Sequence, residues 1–154
     1  MVRKAKERKD RIQTMNKHLR FLAFICLALL PISLVAQSYV QKPDTGQRLY
    51  KWDGTYLIKP DTGEHLYKWD GTYIIKPNTG EHLYKWDGKY LIKPSTGEHL
   101  YKYDDGFIVR PDTGWQYFKY DGRYLIKPDT GERILKIDGP IACAIIIALA
   151  MGLI

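Results

Sequence analysis

Residues 59–75 read Lys-Pro-Asp-Thr-Gly-Glu-His-Leu-Tyr-Lys-Trp-Asp-Gly-Thr-Tyr-Ile-Ile, and the seventeen residues that follow nearly repeat them. The unit runs without a gap through six copies, at 42–58, 59–75, 76–92, 93–109, 110–126 and 127–143. A period this short makes each copy one supersecondary unit that needs neighbours to bury its apolar face. Helix is disfavoured inside the unit, because Pro or Gly recurs every eight or nine residues. Two turn signals alternate instead. Asp-Gly, as at 70–71, suits a two-residue hairpin turn. Pro-Asp-Thr-Gly, as at 60–63, suits a three-residue hairpin loop in which Pro fixes φ, Asp caps the turn and Gly takes the left-handed position. The runs between turns are rich in Tyr, Trp, Ile and Leu and read as strands. In the fourth copy Asp105 stands where Gly is expected, so that turn is expected to shift or widen.

Counting strands defines the architecture. Residues 38–42 match 55–59, so a half-unit precedes the first copy, and the last half-unit ends at Asp138-Gly139. The result is a twelve-stranded antiparallel meander over 37–139. A two-residue turn at Asp70-Gly71 sets Trp69 opposite Thr72 and Tyr67 opposite Ile74. A three-residue loop at 61–63 sets Ile58 opposite Leu66 and Leu57 opposite Tyr67. Two apolar ladders follow, one through Ile58, Leu66 and Ile75 and the other, on the opposite face, through Leu57, Tyr67 and Ile74. Each of the first five units also places a Lys opposite a ring, Lys68 with Tyr73 for example, in cation–π geometry, and in the sixth Lys136 faces Ile141.

After Pro140 come fourteen apolar or small residues, Ile141 to Ile154. Pro140 suits a first helical position, and fourteen helical residues would span about 21 Å, close to the length of a six-residue strand. Twelve strands closed at a tilt of about 40° give a barrel roughly 12 Å in radius, wide enough for one helix on its axis. That helix must be apolar on all sides, as this one is. The predicted fold is therefore mainly β, a barrel of 17-residue hairpin repeats closed around a hydrophobic C-terminal helix. A membrane tail and a further strand are the rival readings of 140–154.

With twelve strands and a hydrophobic C-terminal helix, the architecture resembles the tubby-like and scramblase-like barrels. The repeat is similar to other short aromatic hairpin repeats, namely the beta-flower proteins, choline-binding repeats and the Tyr-Asp repeats of Rhs proteins. The last of these share segments such as Phe118-Lys119-Tyr120-Asp121-Gly122. None matches the 17-residue unit throughout, so no functional residue carries over.

The net charge of +7 is unevenly placed. Residues 1–36 hold eight Lys/Arg against two acids, which leaves about +1 for residues 37–154. A near-neutral body carries no phosphate-backbone footprint, so nucleic acid is not an expected partner. The basic stretch ending at Arg20 is followed by an apolar run from Phe21 to Ala36. This is the pattern of a secretory signal, with Gln37 as the new N-terminus and Met15 as an alternative start. Ala-Gln at the end of a signal resembles those of Bacteroidota-type bacteria. Export to the periplasm, outer surface or medium of a bacterium is expected. An uncleaved inner-membrane anchor is the alternative, although the run is short for a span. Cys26 leaves with the signal, and Cys143 alone allows no internal disulfide.

Catalytic chemistry finds no support in the repeat. Asp-Thr-Gly at 44–46, 61–63, 112–114 and 129–131 resembles a protease triplet, but Asn78 and Ser95 replace the acid in two copies, which keeps a turn cap and loses a carboxylate. Glu-His recurs at 64–65, 81–82 and 98–99, but equivalent strands lie about 10 Å apart, too far to share one zinc ion. His65 is expected on a solvated rim opposite Lys59 and Lys76. The chain is therefore read as exported and non-enzymatic, without cofactor or metal, a structural or interaction module. Its candidate ligand-stacking residues are Trp52, Trp69, Trp86, Tyr103 and Tyr120, with cell-envelope glycans as the ligand class. The alternative is a membrane-associated protein held by its apolar termini, 140–154 included.

Overall fold

A computed structural model describes residues 37–154, and the signal read at 1–36 lies outside the described residues. The strands are β1 (Ser38–Gln41), β2 (Arg48–Trp52), β3 (Tyr56–Ile58), β4 (His65–Trp69), β5 (Tyr73–Ile75) and β6 (His82–Trp86), followed by β7 (Tyr90–Lys93), β8 (Glu98–Asp104), β9 (Phe107–Val109), β10 (Gln116–Tyr120), β11 (Tyr124–Ile126) and β12 (Arg133–Asp138). Each pairs antiparallel with the next, and β1 pairs with β12, so the meander closes into a barrel without a free edge. One helix, α1 (Cys143–Ala150), follows.

The unit repeats its pairing faithfully. Inside the barrel six cross-strand triads have an aliphatic centre, and four of them have a ring on both sides, the exceptions being Tyr120–Leu125–Leu135 and Ile137–Val40–Tyr50. Trp52–Leu57–Tyr67, Trp69–Ile74–Tyr84 and Trp86–Leu91–Tyr101 are successive examples of the four. The middle members, Val40, Leu57, Ile74, Leu91, Ile108 and Leu125, are all fully buried. They share one core cluster with Ala144, Ile145, Ile146, Ile147 and Ala148 of α1. The lumen is thus filled by the helix. Its side chains offer only apolar surface to the triads.

The helix is shorter than the sequence predicts. Pro140 is not its first residue, because Ala142 keeps an extended ψ of 133° and the first helical residue is Cys143. The segment 140–142 carries the chain from β12 into the lumen. At the other end Gly152 takes φ 63°. Its N–H donates to the Leu149 carbonyl at 3.2 Å and that of Leu153 to Ala148 at 2.9 Å, a Schellman closure.

Both turns differ from the sequence reading by small, compensated amounts. The Asp-Gly hairpin centres on Gly71-Thr72, one residue later than expected, so Trp69 faces Ile74 rather than Thr72. Gly71 has φ 98°, as a first central residue of a type II′ turn requires. Asp70 anchors the turn. Its carboxylate accepts from Thr72 N at 2.9 Å and Tyr73 N at 2.7 Å. In the fourth unit the turn neither shifts nor widens. Asp105-Gly106 occupies the same central positions with φ 46° and 84°, and Asp104 faces Phe107. That unit alone uses Asp-Gly as the two central residues. At the other end the loop has four residues, Pro60 to Gly63, flanked by a Lys59 N–H to Glu64 carbonyl bond of 2.9 Å. Leu66 then bulges, so Ile58 faces His65, and the predicted Leu57–Tyr67 pair is restored. The expected Ile58–Leu66 ladder is therefore interrupted at every such bulge.

The turn carboxylates have a consequence in acid. The Tyr73 N–H holds the Asp70 carboxyl below its usual range, against a smaller opposing effect of burial. Asp87 is lowered by the same cause, its hydrogen bond from the Tyr90 N–H, with burial again opposing it. A carboxyl held low in the folded state stabilises the fold above its unfolded value, about 3.9, and loses that contribution as pH falls through the folded value. Thermal melts of the wild type are expected to lose stability below about pH 4. A D70N/D87N double variant should begin less stable at neutral pH and fall less steeply in acid. Parallel curves for the two proteins would rule out this role for the turns.

Candidate functional site

The row proposed from sequence as a stacking surface is turned inward. Trp52 is 4% exposed, and Trp69, Trp86, Tyr103 and Tyr120 are half-buried rings packed against the core that contains α1. They are the first members of the inner triads, with Ile137 as the sixth. Their faces support the helix, and they do not form an open aromatic platform. Sequence alone leaves this ambiguous because both faces of the sheet carry apolar ladders.

The outer face carries its own repeated ladder, Tyr56–Lys68–Ile75–His82 in one copy and Tyr73–Lys85–Ile92–His99 in the next. Ile58, Ile75, Ile92 and Val109 are buried here although they alternate with the inward residues. Each lies between a Lys and a His or Gln on neighbouring strands, where Lys methylenes can cover it. The expected Lys68–Tyr73 pairing is replaced by Lys68–Tyr56, a consequence of the later turn. The His residues do not face Lys59 and Lys76. His65, His82 and His99 stack on Tyr56, Tyr73 and Tyr90 at 4.1, 4.2 and 4.3 Å between centroids. Arginine fills the same position at both ends of the meander, with Arg48 4.0 Å from the Tyr39 ring and Arg133 4.1 Å from Tyr124. Cations meet rings more loosely elsewhere, Lys89 at 5.9 Å from Tyr90, Lys119 at 5.9 Å from Phe107 and Arg123 at 5.6 Å from Tyr124. Among the described residues no group of three or more His, Cys, Asp or Glu side chains could hold a metal ion.

The fifth unit breaks this regularity in one place. Where the second, third, fourth and sixth copies have Glu, it has Trp115, and Gln116, Tyr117 and Phe118 replace the usual His-Leu-Tyr. Trp115 is 68% exposed, the large hydrophobic residue that stands out on the described surface. Its backbone is held from both sides. Its carbonyl accepts from Arg110 N at 2.8 Å, and its N–H donates to Thr113 Oγ1 at 3.3 Å. The ring lines a cleft of about 980 Å³ between the loops 110–115 and 127–129, together with Arg110, Gln116, Tyr117, Lys127 and Asp129. Tyr117 meets Tyr101 edge to face at 5.7 Å.

The replacement also rearranges the charges. In the third and sixth units the Lys that opens the loop pairs with the Glu five residues on, Lys76 with Glu81 at 2.8 Å and Lys127 with Glu132 at 2.7 Å. Trp115 removes that partner from Arg110, which instead pairs with Asp112 at 3.0 Å. The cleft therefore combines an exposed indole with cations that already have carboxylate partners. Trp115 is not among the candidate residues read from the sequence. Its signal there is its departure from the repeat, a Trp at a Glu position.

Among the described residues no helix is long and apolar enough to cross a membrane. Comparison with protein-family models, curated proteins and solved structures gives no match to this chain. The assignment of a role accordingly rests on the geometry above.

Proposed function

We propose that the protein is an exported, non-catalytic interaction module in which a rigid barrel displays a binding surface. The observation that supports this reading most is the Trp115 cleft, where an exposed indole sits on a pinned backbone. The cavity beside it, about 980 Å³, lies at the upper end of the size range of small-molecule sites. Nothing in the packing of the barrel requires a ring there, since the other units fold with Glu or Gln at that position. Burial of α1 among the inner triads supports the same reading, because it directs any ligand to the loops and outer face. A membrane-anchored role for 140–154 would require the helix to leave that core and expose the triads to water.

The test is retention of isolated cell-envelope material on immobilised protein, wild type against Trp115→Glu. The substitution restores the residue found in the sister units and should leave the melting temperature almost unchanged. Retention by the wild type and its loss in the variant is the expected result. Equal retention by both proteins, or none by either, would rule the cleft out as the interaction site.

A further inference from the structure

We infer that the Trp115 cleft binds a neutral sugar ring of a glycan chain, stacked on the indole. This rests on the interaction reading above and names its ligand class. An exposed Trp face offers a flat apolar platform, and a pyranose ring presents one apolar face of C–H groups with hydroxyls at its edge. Tyr117 contributes a second ring to the same wall. The edge groups a sugar needs are also present. Arg110, Gln116, Lys127 and Asp129 line the cleft and together offer both donors and acceptors for hydroxyl groups.

Charge decides between a neutral and an acidic sugar. Each cation in the cleft already has a carboxylate, Arg110 with Asp112 at 3.0 Å and Lys127 with Glu132 at 2.7 Å. Asp129 adds a further negative charge to the wall. An anionic ligand would have to displace these partners or lie against a carboxylate. A hydroxyl can join them, because a guanidinium has five N–H donors and a carboxylate has lone pairs to spare. The sister units show the contrast. In the third and sixth units, with Glu at the position of Trp115, the same place has an ion pair and no platform.

The experiment titrates the full chain with laminarin, dextran and mannan as neutral probes and with polygalacturonate as an acidic one, following tryptophan fluorescence and heat of binding. At least one neutral glycan is expected to bind and to change the emission. Trp115→Ala and Trp115→Glu should each weaken that binding roughly tenfold or more, as loss of an aromatic anchor does. Raising the salt concentration should change it little, because no net charge is exchanged. Binding of polygalacturonate alone, dependent on Trp115 and weakened by salt, would overturn the neutral-sugar assignment and leave the interaction reading standing. The same holds if no glycan binds but envelope protein is retained through Trp115. If neither the glycans nor any envelope fraction distinguishes wild type from Trp115→Glu, both readings fall.

Discussion

Removal of residues 140–154 is expected to turn a cooperatively melting barrel into an aggregating chain. The reason is volume. Five consecutive residues of α1, Ala144 to Ala148, are 0–3% exposed, and the six aliphatic side chains at the centres of the inner triads are fully buried around them. Without the helix those twelve strands would enclose a lumen lined with Leu, Ile, Val, Trp and Tyr and filled with nothing of matching polarity. A single large-to-small change at Ile145 or Ile147 should cost about 2–5 kcal/mol, against a total stability of roughly 5–15 kcal/mol for a domain. Loss of the whole element exceeds what the fold can absorb. The comparison is between 37–154 and 37–139 by size exclusion and thermal melting. A monomeric, cooperatively melting 37–139 would show that the barrel does not need its helix and would restore the tail reading of that segment.

Cys143 gives an independent report on the same helix. Burial pushes its thiol up to about 12, so little thiolate is present at neutral pH. In 37–154, where it is the single cysteine, labelling by a thiol reagent should be slow in native buffer and become fast on unfolding. Labelling of the native protein at the rate of a free thiol would mean that the start of the helix lies outside the core. Ile145→Asp should give both effects at once, fast labelling and a lost melting transition, because a carboxylate at a fully buried apolar site has no partner.

Much of this fold was legible because the repeat is strict. A period of seventeen with two turn signals fixes the number of strands, and the apolar tail after the last turn then has one place of matching length and polarity. The sequence reading sets the Asp-Gly turn one residue early, yet its faces are right. Moving the turn by one residue changes the pairing by two, and a side-chain period of two leaves every residue on its side of the sheet. The Leu66 bulge was hidden for a similar reason. A three-residue loop without a bulge and a four-residue loop with one both put Leu57 opposite Tyr67. What the period could not show was which of two apolar faces looks inward, and so Trp52, Trp69 and Trp86 could be read as platform or as core. The cleft was harder to see because its evidence is an exception. Trp115 matters because its sister positions hold Glu64, Glu81, Glu98 and Glu132, and averaging the copies into one unit removes that difference.

Loss of strand β1 is expected to be almost as damaging as loss of the helix. The ring is closed covalently at every hairpin except one. Between β12 and β1 the pairs are Ile137 with Val40 and Lys136 with Gln41, the register that Trp69 with Ile74 and Lys68 with Ile75 hold inside a hairpin. The seam is thus an Asp-Gly hairpin with its turn cut open, and the chain uses the freed end to enter the lumen through Gly139 and Pro140. Ser38 secures that exit, its hydroxyl donating to the Pro140 carbonyl at 2.9 Å. Lys136 Nζ donates to Gln41 Oε1 at 3.1 Å across the same seam. Without residues 37–41, β2 and β12 become open edges beside an uncovered core, and edge-to-edge association should follow. A finer probe compares two glycines with nearly equal φ. Gly88 has φ 99° with open space where a Cβ would go, whereas at Gly139, with φ 92°, that Cβ would stand 2.5 Å from Ser38 Oγ. Backbone strain is common to both, so Gly139→Ala should be more destabilising than Gly88→Ala by about 1–3 kcal/mol, the cost of overpacking. Equal losses in urea melts of the two variants would mean that the seam yields freely and that β1 does not hold the barrel closed.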